Sequence, residues 1–226
     1  MKCFVCSAEN QEKNIIKCHN CGHVFRNYPV IDLKQYYSET YRFKDNQELD
    51  NATYKQRNSF ILEKISSFIG EQKTLFEVGF GYGYFYNLFK EKFPNIKYSC
   101  CELSEPLARA NQLKGIETLN CSFQDVVDKK FDIIVSFDVL EHFYDPADYT
   151  NKLNELLNVG GLAVIQVPTD RELHFRTPFD GHYHYFSEQS LKQLVGEQYE
   201  CKMFYKTRRG ETANGREHLT IFERVK

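Results

Sequence analysis

The sequence predicts an α/β chain whose mostly parallel sheet is covered by helices on both faces, with a small metal-binding ribbon in front and an antiparallel hairpin behind. Three observations predict it. Strand-like and helix-like runs alternate from residue 74 onward, the first strand opens directly onto a glycine turn, and four of the eight cysteines lie in the first 21 residues. At 226 residues, 42% hydrophobic and 27% charged, the chain is long enough for one large core, with about thirty residues left for an appended module. Gly 12 and Pro 6 exclude a low-complexity composition. A net charge of −2 excludes the positive field of a bulk nucleic-acid binder. The chain opens MKCFVC, without the apolar stretch of a secretory signal, and no run reaches the roughly eighteen apolar residues of a membrane helix. A soluble, cytoplasmic protein is therefore expected.

The cysteines come first. In Cys3-x2-Cys6-x11-Cys18-x2-Cys21, each pair can form a tight knuckle, and two knuckles folded together present four thiolates to one tetrahedral ion. Zinc is expected, and iron suits the same ligands. With sulfur in all four positions no place remains for water, so the ion should be structural. Gly22 follows the last cysteine, where positive φ lets the backbone turn. Four basic residues against two acidic ones in residues 1–28 give the ribbon too little charge to mark a nucleic-acid site. Residues 29–54, rich in tyrosine, read as a linker or helical lid, and 55–226 as the main domain.

Within that domain Phe60, Ile61, Ile65, Phe68 and Ile69 recur at helical spacing, with Gly70 as the expected C-cap. Strands are expected at Thr74–Val78, Lys97–Cys101, Glu117–Asn120, Phe131–Ser136 and Leu162–Val167, with helices near Tyr84–Lys92, Pro106–Lys114 and Ala147–Leu157. Cys201–Lys206 and His218–Arg224 read as the closing hairpin. In such sheets the ligand lies beyond the carboxyl ends of the strands, where the strand order switches.

Two features point to a nucleoside-bearing ligand. Glycines at 79, 81 and 83 let it approach the backbone, while the helix that follows offers free amides. The spacing GxGxG departs from the dinucleotide fingerprint GxGxxG, because Tyr84 stands where that motif has glycine. Glu102 follows 19 residues after Gly83, at the end of the second strand, where a carboxylate can accept from both ribose hydroxyls.

These residues resemble those of the class I S-adenosylmethionine-dependent methyltransferases, over about residues 55–226. The family pattern hh(D/E)hGxGxG is met by LFEVGFGYG at 75–83, and FDIIVSFDVLEHFYDP at 131–146 is similar to the fourth-strand motif of small-molecule O- and C-methyltransferases. The resemblance implies a Rossmann-like methyltransferase fold. Glu77, Gly79, Gly81 and Gly83 would lie against the aminoacyl part of S-adenosylmethionine, Glu102 would hold the ribose, and Leu103 would border the adenine. Phe137 and Asp138 would stand near the sulfonium. Ser122, with Phe123 beside it, occupies the place where relatives have an acid for the adenine amine, and Gln124 or Asp125 would substitute. Asn158, Gly160 and Gly161 match a tight turn of the family.

A four-cysteine module ahead of such a domain resembles a subgroup that includes methyltransferases of nucleotide-linked or surface sugars, and GHYHYFS at 181–187 resembles a segment that borders their active site. Imidazole titrates near neutrality, which suits a base for a hydroxyl or carbon acid. His182 and His184 are the leading candidates, followed by His142 and then His174. Tyr37, Tyr41 and Arg57 lie where relatives cover the cofactor. The basic tail, seven cationic residues against three acidic ones over 202–226, would suit an anionic acceptor such as a nucleotide sugar through Arg208, Arg209 and Arg216. Two other readings stay open: an RNA methyltransferase guided by the ribbon, and a non-catalytic cofactor-binding module. The oligomeric state is not indicated.

Overall fold

The computed structural model describes residues 1–11, 13–40, 51–169, 181–208, 211 and 216–226. The main sheet has seven strands: β3 (Thr74–Val78), β4 (Lys97–Cys101), β5 (Glu117–Leu119), β6 (Phe131–Phe137), β7 (Leu157–Pro168), β9 (Tyr199–Lys206) and β10 (Glu217–Arg224). They lie in the order β5-β4-β3-β6-β7-β10-β9. The first five in this order are mutually parallel, and β10 runs antiparallel to both β7 and β9. From β3 the chain adds β4 and β5 on one side and then returns to place β6 on the other. The order therefore switches at β3, and a crevice opens beyond its carboxyl end.

Period-two alternation builds the core. Leu75, Ile133, Val135, Leu162 and Val164 face one apolar layer, which also holds Ile61 and Ile65 of α2 (Asn51–Ser66) and Phe85 and Phe89 of α3 (Tyr84–Lys92). The intervening Phe76, Val78, Ile134, Ala163 and Ile165 face the other layer, filled by Tyr149 and Leu153 of α5 (Pro146–Leu156) and Leu191 of α6 (Glu188–Val195). α4 (Glu105–Leu113) connects β4 to β5, with proline in its first turn. Among the described residues no helix is long and apolar enough to cross a membrane.

Two local expectations are corrected. α2 ends at Ser66, four residues short of Gly70, whose φ is not positive. The expected tight turn Asn158–Gly161 lies inside β7 as a break in its register: Phe131 pairs with Leu157 and Ile133 with Leu162, Gly160 has φ 80°, and a Cβ on Gly161 would lie 2.8 Å from the Asn158 carbonyl and 2.9 Å from that of Asp132.

The cysteine ribbon forms a second, three-stranded antiparallel sheet of β1 (Ile15–Lys17), β2 (Val24–Arg26) and β8 (His184–Tyr185). β8 comes from the main domain, so the ribbon is closed by a strand from far down the chain. α1 (Leu33–Thr40) follows the ribbon.

Candidate functional site

The four cysteines converge. Cys3 and Cys21 have sulfurs 3.7 Å apart, those of Cys6 and Cys18 are 3.5 Å apart, and all four lie within 4.8 Å of one another. Bonds of about 2.3 Å from a tetrahedral zinc would put the sulfurs about 3.8 Å apart, so the cluster fits the ion. Each knuckle turns on a residue of positive φ placed directly after its second cysteine: Gly22 (72°), as expected, and Ser7 (58°), which the sequence did not reveal. The Gly22 N–H donates to the Cys18 carbonyl at 3.0 Å, and the Ser7 N–H to that of Cys3 at 2.9 Å. Burial pushes the Cys3 and Cys21 thiols up, so without a cation both would stay protonated.

At the strand-order switch lies a cavity of 1190 Å³. Its floor is the turn after β3. The Gly79 and Phe80 amides donate to the Cys101 carbonyl at 3.0 and 3.1 Å, and the Gly81 carbonyl accepts from Asn111 Nδ2 at 3.0 Å. Gly81 has φ 55°, and a Cβ there would meet nothing within 4 Å, so its Cα faces open space. Gly83 is different. It does not line the cavity but caps α3 with φ 75°, and a Cβ would lie 2.5 Å from the Phe80 ring. Its glycine serves packing.

Glu102 lies across the turn, accepting from the Gly81 amide on Oε2 and from the Ser104 amide on Oε1, each at 2.8 Å. A carboxylate has about four acceptor sites, so two remain for ribose hydroxyls. Glu77, Leu103, Phe123, Phe137 and Asp138 line the same cavity. Ser122 lines it too, but its hydroxyl donates to Asp125 Oδ2 at 2.6 Å, and Asp125 itself belongs to the wall. Gln124, the other expected substitute, lines the cavity as well.

Burial pushes the Glu77 carboxyl up to about 8, against a 2.5 Å hydrogen bond from Tyr98 and the charge of Arg57. Burial raises Glu102 as well. Among the described lining residues Asp32, Glu77, Glu102, Asp125, Asp138, Asp148 and Glu217 face only Lys34 and Arg57, a balance that favours a cationic ligand. Because Glu77 takes up a proton on folding, its contribution to stability is full below the ordinary carboxyl range and is lost as pH rises through about 8. The melting temperature of the wild type should therefore fall, relative to Glu77→Gln, between about pH 5 and pH 8.5. Parallel curves would remove Glu77 as the cause.

Arg57 was singled out only by its position upstream, yet it reaches the site directly. Its guanidinium contacts Asp138 Oδ2 at 2.6 Å and Gln166 Oε1 at 2.8 and 3.1 Å, holding Asp138 in a left-handed conformation of φ 56°. Only that position in α2 hinted at it, and no motif marks Gln166.

His142 and His182 line the cavity with rings 4.7 Å apart, and ligand atoms of both lie within 4.8 Å of a carboxylate oxygen of the buried Glu141. His142 Nδ1 lies 3.0 Å from the Gly181 carbonyl, to which that nitrogen donates. His184 is placed elsewhere, which corrects its expected role as a base. It is fully buried in the ribbon junction, does not line the cavity, donates from Nε2 to the Tyr144 carbonyl at 3.1 Å, and is pushed down to about 4 by burial. Its outward side is taken by ring contacts with Phe4 and His23. His174, Tyr41 and Arg209, and the side chain of Tyr37, lie outside the described residues.

A family model described as a methyltransferase domain matches residues 51–203. No curated protein shows a significant sequence match. Among solved structures, the 1,6-didemethyltoxoflavin-N1-methyltransferase of Burkholderia thailandensis, with 1,6-didemethyltoxoflavin and S-adenosylhomocysteine bound, is similar over 95% of this chain and 100% of its own, at 13% identity and a TM-score of 0.66. A SAM-dependent methyltransferase of Thermotoga maritima is similar over 86% and 100%, at 17% identity and 0.65. The glycopeptide N-methyltransferase MtfA complexed with S-adenosylmethionine is similar over 74% and 94%, at 12% and 0.58. At these identities the likeness is one of fold.

Proposed function

The chain belongs to the family of methyltransferase domains, and we propose that it moves a methyl group from S-adenosylmethionine to a small-molecule acceptor, a hydroxyl or carbon of a nucleotide-linked or surface-glycan sugar. The observation that carries this reading is the meeting, in one cavity, of the open Gly81 turn, the Glu102 carboxylate and the His142–His182 pair. When bound, the sulfonium supplies an already activated methyl group, so the chain's own task is alignment, charge balance and proton removal. The turn at Gly79–Gly81 and Glu102 would hold the aminoacyl and ribose parts, Leu103 and Phe123 would flank the adenine, and Asp125 would accept from its amine. Asp138 would offset the cofactor's positive charge, with Arg57 keeping it in place.

His182 is the proposed base, taking the acceptor proton as the methyl arrives. His142 stands beside it, and the Glu141 carboxylate would favour the imidazolium that forms. The four thiolates would hold a structural zinc, and the ribbon (1–28), the lid (29–54) and the catalytic domain would act as one unit. Because carboxylates dominate the cavity, a diphosphate on the acceptor would remain at the rim. There Lys34, and Arg216 next in the chain to the lining residue Glu217, would offer positive charge, with Arg208 one residue past Thr207, which pairs with Glu217.

Incubation with methyl-labelled S-adenosylmethionine and a panel of nucleoside-diphosphate sugars tests the acceptor class. Label transferred to at least one sugar is the expected result. Transfer only to RNA would replace this reading with the ribbon-guided alternative.

A further inference from the structure

We propose that the cysteine ribbon is a positioning module for the acceptor side of the cavity: by taking the segment that follows His182 as the third strand of its own sheet, it sets the place of that histidine. The inference rests on the reading above for the role of His182, and on the thiolate cluster being loaded with metal.

The segment 181–187 lies between the main domain, which holds it through His142, Glu141, Tyr144 and His218, and the ribbon, which supplies its only strand partner among the described residues. β2 pairs with β8 through Val24 with Tyr185 and Phe25 with His184, and the Arg26 amide extends the ladder to the Tyr183 carbonyl at 2.8 Å. Ser187, which caps α6, donates from Oγ to the carbonyl of the ligand Cys21 at 2.8 Å, and Gln189 Nε2 donates to the Asn20 carbonyl at 3.2 Å. The imidazole of His23 lies 3.6 Å by Nδ1 from the Cys3 sulfur and stacks on the rings of His184 and Phe186, at 5.1 and 5.0 Å. A two-residue strand with no sheet of its own is not stable in isolation, so β8 owes its strand pairing to β2. β2 in turn is held by knuckles with only a small apolar cluster beneath them.

A second link runs along the wall of the cavity. The Tyr183 hydroxyl accepts from the Ile31 amide and donates to the Pro29 carbonyl, each at 3.0 Å, while its own amide donates to the Glu141 carbonyl at 2.8 Å. Residues 30–34, just past the ribbon, line the cavity beside His182. One tyrosine therefore joins the ribbon exit, the His182 loop and the Glu141–His142 turn. None of these contacts reaches Gly81 or Glu102, which are held by each other and by Asn111, Ser104, Leu119 and Asn120. Loss of metal should consequently loosen the acceptor side and spare the cofactor side.

Native-state hydrogen exchange on the full chain, metal-loaded and after stripping with a strong zinc chelator, tests this alongside calorimetric titration with S-adenosylhomocysteine. The amides of Arg26, Tyr183 and Tyr185 should lose protection about tenfold or more on stripping, those of β3 and β4 should hold, and the affinity should change by less than about threefold. Tyr183→Phe in metal-loaded protein, which leaves the thiolates untouched, should shift the His182 imidazole resonances and raise exchange at Ile31 without altering S-adenosylhomocysteine affinity. Unchanged protection of 183–185 in stripped protein, or unmoved His182 resonances in Tyr183→Phe, would overturn the proposal. If S-adenosylhomocysteine fails to bind the loaded protein, the methyltransferase reading falls instead, and the exchange pattern still decides whether ribbon and loop are coupled.

Discussion

Replacement of Gly81 by arginine should abolish S-adenosylhomocysteine binding while leaving the fold and the four-thiolate site intact. The reason is local. Gly81 faces the cavity, and a Cβ added there would have no neighbour within 4 Å, so a long cationic side chain meets no protein atom at its root and instead fills the space meant for the ligand. Its charge also opposes a cationic cofactor, and a non-glycine residue at φ 55° costs about 1–2 kcal/mol, which a domain of this size tolerates. The neighbouring glycines make poorer probes. A Cβ at Gly79 would lie 2.7 Å from Val139 Cγ2 and one at Gly83 2.5 Å from the Phe80 ring, so those variants should lose stability before they report on binding. Calorimetry for binding and metal content for the ribbon check the expectation together. Retained affinity in the arginine variant would move the cofactor site elsewhere.

His182→Ala should lower methyl transfer by about 10²–10⁴-fold, the range for a positioned general base, with S-adenosylhomocysteine affinity unchanged. The imidazole lines the cavity beside that of His142, whereas Glu102 accepts from the Gly81 and Ser104 amides. His184→Ala should behave differently. A fully buried ring stacked between Phe4, His23 and Phe186 is removed, so the expected loss is in stability, seen as a lower melting temperature. Equal turnover in His182→Ala and wild type would pass the role of base to His142.

How far the sequence discloses this molecule depends on what each feature rests on. The strands at 74–78 and 97–101 and the helix at 84–92 match their expected ranges because buried parallel strands are short apolar runs punctuated by glycine or proline. The paired cysteine spacing disclosed the convergence of the four thiols for a similar reason, since ligand geometry restricts spacing. What stayed hidden depends on distant partners. β8 is two residues long and exists because β2 lies beside it, and nothing in HYHY reveals that one histidine faces a cavity while the next but one is stacked in a ribbon. Alternation along a strand separates the two, yet the strand itself could not be foreseen. Asp125 reaches the cavity wall beside Ser122 through a 3-10 turn with a reciprocal Ser122–Asp125 cap. The Arg57–Asp138–Gln166 cluster joins α2, the end of β6 and β7, three elements that only the sheet order brings together.

Titration of the purified protein with S-adenosylhomocysteine, beside a Glu102→Ala variant and with NAD as control, tests the central claim most directly. Micromolar binding that weakens about tenfold to a hundredfold in the variant is the expected result, since hydrogen bonds to a charged group contribute about 1.5–3 kcal/mol, and NAD should not bind. Absence of S-adenosylhomocysteine binding by folded, metal-loaded protein, or equal affinity in the Glu102 variant, would contradict the account.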